Sequence, residues 1–285
     1  PMSMMASALQ PMLALGTLEL LSPWPPGWGG NLLRGLAHSL EIAFGAYAIG
    51  LVLGTIGASA KLYGGPVARD IAEAYTTIVR AVPELVLILL LYYAGTSLIN
   101  DMLASMGRDP VDISGLAAGI GVLGVVQGAY HTEVLRGAIL SLPPGQIEAA
   151  RAYGMSPWQT LRRITLPGML PYALPGLSNL WLVVTKDTAL LAVVGFNELT
   201  LETRQAAGTT KAYFTFFMAA GALYLAVTLL SNVVLSRIER HAAAGHGRHG
   251  HQLAQARRRQ QGQPFQRHAA HGVTHHAEGA KAQRI

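Results

Sequence analysis

The chain has no cysteine and little charge, and both absences narrow what it can be. Without cysteine among its 285 residues, it can form neither a disulfide framework nor a thiolate metal site. Only 13% of the residues are charged, whereas a soluble domain carries about a quarter, and 51% are hydrophobic. Because the apolar residues are concentrated in long runs, the composition predicts an all-α integral membrane protein.

The sequence also lacks a phosphate-binding loop and an obvious catalytic constellation. No Gly-x4-Gly-Lys-Ser/Thr string occurs, and the nearest string, at 208–211, has the wrong spacing. The apolar runs contain no Ser/His/Asp arrangement and no cluster of His, Asp and Glu, which disfavours a membrane-embedded enzyme. We therefore expect no catalysis, cofactor or metal site in this chain, and any ATP hydrolysis must occur on another polypeptide.

The two ends of the chain differ in composition from its middle. No Lys or Arg precedes Arg34, so residues 1–34 lack the basic start of a secretory signal and are expected to be a periplasmic or interfacial lead-in. Residues 241–285 contain most of the histidines and most of the net charge of +6. Their composition favours a disordered tail, and we disfavour nucleic-acid binding because the basic excess lies outside any folded face. The segment 35–240 between them is the predicted transmembrane domain.

Five apolar stretches are long enough to cross a bilayer as helices of about 20 residues. They are residues 40–60, 81–99, 113–130, 175–195 and 213–235. Several contain glycines four residues apart, such as Gly50 with Gly54 and Gly124 with Gly128. This spacing lets two helices approach closely, so a compact bundle of five transmembrane helices is predicted.

Basic residues between these stretches predict the orientation of the bundle. The loops after the first and third stretches and the C-terminal flank hold most of them: Lys61, Arg69, Arg136, Arg151, Arg162, Arg163, Arg237 and Arg240. The opposite loops hold Arg108, Arg204 and Lys211. Because basic loops remain in the cytoplasm, the N-terminus is predicted outside and the C-terminus inside. The long loop of about residues 136–174 is then cytoplasmic.

That loop is predicted to form two short helices. Two prolines at 143–144 favour a helix start, and Gly154 can adopt the left-handed conformation that ends a helix. Residues 156–159 (Ser-Pro-Trp-Gln) have the order of a capping box with proline at the first helical position. We expect Pro167 to stop the second helix.

The same loop, residues 143–167, contains a motif with fixed spacing: Glu-Ala-Ala, then glycine four positions on, then Ile-x-Leu-Pro. It resembles the EAA loop of permease subunits in type I binding-protein-dependent ABC importers. In that family the loop is a coupling helix that enters a groove of the ATPase subunit. The resemblance implies an ATPase-coupling role for Glu148, Ala149, Ala150, Gly154, Ile164, Leu166 and Pro167. The simpler alternative is a surface helix hairpin without a partner.

Three further stretches resemble the polar amino acid permeases within that family. They are residues 128–137 (GAYHTEVLRG), residues 80–83 (RAVP, in the second predicted span) and residues 186–191 (KDTALL, with Ala189 where serine is usual). The resemblance covers about residues 30–240 and is greatest to the first permease of histidine/lysine/arginine/ornithine, octopine and nopaline importers. The resemblance implies that the chain lies in the bacterial inner membrane, in contact with lipid. It also implies three protein partners: an ABC ATPase, a second permease subunit with which it forms a heterodimer, and a periplasmic solute-binding protein.

Polar residues in the predicted spans are candidates for the solute pathway, because an unpaired charge inside a bilayer costs several kcal/mol. Asp187 or Glu133 would hold the cationic group of an amino acid. Alternatively, Glu133 forms a structural ion pair with Arg136, one turn away. The full set of pathway candidates is Asp187, Lys186, Glu133, Gln127, Tyr130, Asn179 and Trp181.

The predicted function is therefore that of a permease subunit in an ATP-driven importer of polar, cationic amino acids or opines. Two alternatives remain from the sequence. One is a permease for another small polar solute. The other is a stand-alone secondary transporter or channel, which would favour more spans or an internal repeat.

Overall fold

The computed structural model of the protein describes residues 16–110 and 114–261, and every regular element within these ranges is helical. The α-helices are α1 (Thr17–Leu20), α2 (Gly29–Tyr63), α3 (Pro66–Ala81), α4 (Glu84–Ser105), α5 (Gly115–Leu140), α6 (Pro144–Ala152), α7 (Pro157–Thr160), α8 (Leu166–Asp187), α9 (Leu199–Thr210) and α10 (Tyr213–Gln261). A π-helical turn, Leu161–Thr165, precedes α8, and a 3₁₀ segment, Thr188–Val194, follows it. The all-α prediction is confirmed for the described residues.

Four helical stretches are long and apolar enough to cross a membrane. They are Gly29–Tyr63, Glu84–Ser105, Pro157–Val194 and Tyr213–Ala242. Helix α5, the predicted third span, is not among them, although it has 26 residues. It is rich in glycine and contains Gln127, His131 and Thr132, all of which are fully buried in the bundle. The polar character that lowers the hydropathy of α5 is therefore turned towards the other helices.

Helices α2 and α5 pack against each other at glycine positions. A Cβ atom at Gly54 would overlap the Cβ of His131, and one at Gly57 would overlap the Thr132 hydroxyl. Glycine is thus required on α2 for this close approach, as the spacing of glycines predicts. An apolar core lies beside the contact and joins α2, α4, α5, α8 and the 3₁₀ segment through Ile42, Ala43, Ala46, Ile88, Val122, Leu123, Val184 and Leu191.

The region around Pro83 differs from the prediction. Residues 80–83 do not lie inside a span, because α3 ends at Ala81 and α4 begins at Glu84. Pro83 disfavours a helical conformation for the residue before it, and Val82 is accordingly extended, with φ −91° and ψ 138°. The predicted loop after the first span is in fact helix α3, which starts with Pro66 in its first turn.

Pro167 does not end a helix, contrary to the sequence prediction. The backbone runs from α7 through the π-helical turn into α8, and Pro167 lies in the first turn of α8. The N–H of Leu166 bonds to the carbonyl of Leu161, five residues back, so this turn is wider than an α-helical turn. The wide turn accommodates a proline ring that would otherwise clash with the carbonyl four residues before it.

The chain divides into two compact units, residues 1–239 and 240–285. Helix α2 starts at Gly29, so the end of the predicted lead-in is already helical. Helix α10 continues to Gln261, into the segment for which the composition favours disorder. Residues 1–15 and 262–285, which include the first part of the predicted lead-in and the end of the predicted tail, lie outside the described residues.

Candidate functional site: the EAA helix and a half-buried acidic pair

The EAA motif forms a short exposed helix, α6, followed by a sharp turn. Glu148 and Ala149 are exposed, whereas Ala150 is buried. The chain leaves α6 at Gly154, which has a φ of +73°. A β-branched side chain is strained at such a φ, so glycine is the residue that this turn favours. The predicted helix and its left-handed ending are confirmed.

Helix α7 follows through the predicted capping box. The Ser156 side chain accepts from the Gln159 N–H at 3.3 Å, and Gln159 Oε1 accepts from the Ser156 N–H at 2.9 Å. The motif residues beyond it are exposed at Leu166 and Pro167 and half-buried at Ile164. They lie on the wide turn and at the start of α8, apart from the outward surface of α6.

Two exposed aromatic residues follow α6 in the chain. Tyr153 is 89% exposed and Trp158 is 66% exposed. A cavity of about 420 Å³ lies between Trp158 and Tyr63 at the end of α2, and its other lining residues include Ile147, Arg151, Met155 and Leu161. The loop therefore presents a short helix with an exposed glutamate, Glu148, next to a largely apolar cavity that Arg151 of the same helix lines.

A second candidate site lies where α4, α5 and α8 meet. Asp187 is the last residue of α8, and its Oδ2 accepts from Gln127 Nε2 at 3.3 Å. Glu84, the first residue of α4, lies beside both the Asp187 carboxyl and the Tyr130 hydroxyl. The structure thus brings together three predicted pathway residues, Asp187, Gln127 and Tyr130.

Glu84 was not predicted from the sequence, although its position after the Arg-x-x-Pro element was a usable signal. Among the described residues, neither Glu84 nor Asp187 has an ion-pair partner within 4.0 Å. Arg80 and Lys186 act on this site only at longer range. The buried Gln127 Oε1 also has no hydrogen-bond partner within the described part of the chain. The site is therefore rich in acceptors and short of donors.

Other predicted pathway residues lie elsewhere. Asn179 and Lys186 are exposed on the surface of this single chain. Trp181 donates its Nε1–H to Ser231 Oγ at 3.0 Å, and its ring lies 4.4 Å from that of Phe44. These contacts tie α8 to α10 and α2, so Trp181 serves helix packing.

Glu133 belongs to a separate group of charges. Its Oε2 accepts from Arg136 Nη2 at 3.0 Å, which is the ion pair given above as the structural alternative. Its Oε1 lies 2.6 Å from Lys61 Nζ. The same Nζ lies 2.8 Å from Glu73 Oε2 and 2.6 Å from Thr76 Oγ1. We call Lys61, Glu73, Thr76, Glu133 and Arg136 the Lys61 network. From the sequence, Lys61 is expected in a loop, and no local pattern indicates that Glu73, Thr76 and Glu133 are its partners.

A further buried carboxylate caps helix α9. Glu198 is fully buried and accepts from the Leu201 N–H at 2.8 Å, from the Tyr224 hydroxyl at 3.1 Å and from Ser39 Oγ at 3.3 Å. All of these donors are neutral, and burial raises the pKa of Glu198 above its ordinary value. Within the described residues, no group of three or more His, Cys, Asp or Glu could hold a metal ion.

Comparison with known proteins identifies the family. The family described as "Binding-protein-dependent transport system inner membrane component" matches residues 48–243. The octopine transport system permease protein OccQ of Rhizobium radiobacter is 40% identical over 228 residues, which are 80% of this chain and 96% of OccQ. The histidine/lysine/arginine/ornithine transport system permease protein HisQ of Salmonella typhimurium is 42% identical over 219 residues, 77% of this chain and 96% of HisQ.

A solved structure agrees with these relatives. The crystal structure of an amino acid ABC transporter with histidines contains a chain that matches with a TM-score of 0.64 and 30% identity, covering 75% of this chain and 95% of that one. The resemblance drawn from the EAA loop and the three further stretches is thereby confirmed. The chain belongs to the family of binding-protein-dependent transport system inner membrane components, and it is a multi-pass permease of the bacterial inner membrane.

Proposed function

We propose that this chain forms part of the translocation path for a cationic amino acid or opine, and that a separate ABC ATPase drives the transport. The observation that carries the proposal is the Glu84–Asp187 pair, two adjacent carboxyls without an ion-pair partner among the described residues. Two adjacent carboxyls at one half-buried position favour the arrival of a cation. The substrates named for OccQ and HisQ, octopine, histidine, lysine, arginine and ornithine, support a solute with a cationic group.

The chemistry of the site fits such a solute at both ends. An ammonium or guanidinium group supplies donors to Asp187, Glu84 and the free Gln127 Oε1, and a hydrogen bond to a charged group contributes about 1.5–3 kcal/mol. The first turn of α4 begins at the same break, and the N–H groups of a helix N-terminus favour negative charge. We assign that position to the α-carboxylate. Lys186, Asn179 and Trp181 are left outside the primary contacts, and Glu133 belongs to the Lys61 network.

The exposed coupling helix supports energy transfer from the ATPase. Glu148 and Ala149 face outwards on a thin helix, and the turn at Gly154 fixes its exit. Membership of the family implies an ATPase and a solute-binding protein as partners. We propose in addition that a second, different permease subunit completes the path, with the solute-binding protein on the periplasmic side.

The proposed topology has five spans: α2, α4, α5, α8 with its 3₁₀ segment, and α10. The buried polar face of α5 and the distribution of basic residues support it, with the N-terminus outside and the C-terminus in the cytoplasm. A reporter active only outside the cytoplasm should be active when fused after Met102 and silent when fused after Met155. The reverse pattern would overturn the orientation and the coupling role together.

The domain division is a separate proposal: a lead-in of residues 1–34, a transmembrane domain of 35–240 with coupling residues in 143–167, and a tail of 241–285. Deleting residues 244–285 should leave uptake unchanged, because no proposed span or coupling element is lost. Loss of uptake despite normal membrane insertion would assign the tail a role in transport.

The coupling role is tested in a complex reconstituted with its ATPase, its second permease and a loaded binding protein. Gly154→Val forces a β-branched residue into positive φ, at a cost of about 1–2 kcal/mol, and Glu148→Lys reverses the charge of the coupling helix. Both variants should assemble, yet lose uptake and the ATPase response to loaded binding protein.

Gly107→Val is the matched control, because Gly107 has a φ of +71° but lies after α4, far along the chain from the coupling helix. It should keep both activities. Normal uptake by Gly154→Val and Glu148→Lys would refute the coupling role, and uptake by the permease pair alone, without ATPase or ATP, would establish the secondary-transporter alternative.

A further inference from the structure

The Lys61 network joins three helices through one buried cation. The side chain of Lys61 on α2 is only 4% exposed, and its Nζ contacts Glu73 and Thr76 on α3 and Glu133 on α5. A lysine is rarely buried to this extent unless it is paired. The network contains two cations and two carboxylates once Arg136 is included, so it is balanced in charge.

Helix α3 buries few of its own residues, and besides the network it contacts α5 through the hydrogen bond from the Tyr75 hydroxyl to the Val125 carbonyl and through the packing of Val79 on Val126. Its buried residues are only Ala72, Thr76 and Val79, two of them small, whereas Ile71 and Ile78 are exposed. Thr76 is itself a contact of Lys61. By contrast, α2 and α5 are pressed together at several glycines and bury long stretches of each other. The network therefore adds charged contacts to the small number of contacts that hold α3 against α2 and α5.

The positions of the network along the chain connect the two functional regions. Glu133 lies about three turns of helix before the coupling helix begins at Pro144. Glu73 lies about three turns before the break that precedes Glu84. A movement of α6 that displaces the end of α5 can therefore reach α3 through Lys61, and α3 leads through Val82 and Pro83 to Glu84, the first residue of α4.

We propose that Lys61 is a positioning residue that links the coupling helix to the Glu84–Asp187 site through α3. The proposal rests on the proposed function of both regions. It differs from a purely structural role, in which Lys61 only neutralises the half-buried Glu133. The two roles are separable, because Glu73 is 65% exposed and Arg136 is partly exposed, so water can solvate both when their partners are removed.

The experiment compares Lys61→Met, Lys61→Arg and the double variant Lys61→Met/Glu133→Gln in the full complex in vesicles. Each is measured for its unfolding midpoint, its basal ATPase rate, and its ATPase stimulation and uptake with loaded binding protein. In Lys61→Met, the stimulation of the ATPase by loaded binding protein should fall at least about tenfold, which corresponds to about 1.4 kcal/mol of coupling free energy. The basal ATPase rate of this variant should be unchanged. Lys61→Arg, which retains the charge, should recover most of the stimulation.

The double variant separates the two roles. It contains no unpaired buried charge, so it should assemble and regain the wild-type unfolding midpoint, yet remain uncoupled. If the double variant regains wild-type stimulation, Lys61 acts only by neutralising Glu133 and the proposal is overturned. Wild-type stimulation in Lys61→Met overturns it as well. Should Lys61→Met fail to assemble, the double variant still decides the question.

Arg69→Gln provides the control, because Arg69 is an exposed cation on the same helix, α3, and takes part in none of the ion pairs found among the described residues. It should behave as the wild type in all four measurements. Failure of the proposed function would look different: the wild-type complex itself would show no stimulation, or Gly154→Val would remain coupled.

Discussion

The Lys61 network and the Glu84–Asp187 pair both place carboxylates inside the bundle, but they treat the charge in opposite ways. In the network, each carboxylate has a cationic nitrogen within 3.0 Å. In the pair, two carboxyls lie side by side, and Arg80 and Lys186 act only from farther away. The first arrangement is complete without a ligand, whereas the second becomes complete when a cation arrives.

This difference shows how charge in a membrane helix divides between structure and function. A buried ion pair whose partners are both present contributes little net stability, but removing one partner is costly. An unmatched group is costly from the start, and it is tolerated where a substrate repays that cost. Which of the two roles an acid plays is therefore shown by its partners, since Glu133 and Asp187 are both partly buried carboxylates.

The largest expected effect comes from breaking the network. Glu133→Gln leaves the buried Lys61 with one solvent-exposed carboxylate, and we expect the free energy of unfolding to fall by about 3 kcal/mol, the lower end for a broken buried pair. Unfolding of the purified complex in mixed detergent measures it. Glu41→Gln, an exposed acid on α2, is the control. A loss of stability no larger than that of the control would contradict the structural role of the Lys61 network.

The substrate pair should respond in the opposite sense. Asp187→Asn and Glu84→Gln relieve a like-charge contact, so the free energy of unfolding should stay equal or rise. Transport should suffer: losing one charged hydrogen bond of about 1.5–3 kcal/mol slows uptake of a cationic amino acid by about tenfold or more at saturating binding protein. Radiolabelled uptake into vesicles measures this rate. Unchanged uptake in both variants would leave the pair without a functional role.

Glu198 offers an intermediate case, a buried carboxylate that meets only neutral donors. Its folded-state pKa is raised, so the folded chain holds the proton more tightly than the unfolded chain does. The resulting stability is present below the ordinary pKa of 4.5 and is lost as the pH rises through the raised value. The unfolding midpoint of the wild type should therefore fall with rising pH relative to Glu198→Gln, which cannot titrate at this position. Parallel pH profiles would show that the neutral donors already stabilise the charged form.

The smallest effect is expected for Glu73→Gln. Glu73 is a direct partner of Lys61, but it is 65% exposed, and exposed ion pairs contribute about 0–1 kcal/mol. Lys61 keeps Glu133 and Thr76 as partners in this variant. The same detergent unfolding assay should give a loss well below that of Glu133→Gln. An equal loss would mean that burial does not set the strength of these pairs.

The sequence by itself determined the features that depend on local spacing. The EAA loop, the capping box at Ser156 and the turn at Gly154 each follow from residues within a few positions of one another, and the structure has them as predicted. The apolar runs likewise indicate membrane helices, because burial in lipid requires length and composition alone. The family follows from the same short motifs.

Only the tertiary structure decided which polar groups meet. Nothing local joins Lys61 to Glu133 or Glu84 to Asp187, because the members of each pair lie on different helices far apart in the chain. Predictions from local sequence were also wrong where the backbone adopts a conformation other than the one that a proline usually indicates. Pro167 was expected to stop a helix, but it lies in the first turn of α8, after a π-helical turn. The second span was expected to begin at residue 81, but the break at Pro83 makes its helix begin at Glu84. Helix ends and charge partners are set by the packing of the bundle, and packing is a property of the whole chain.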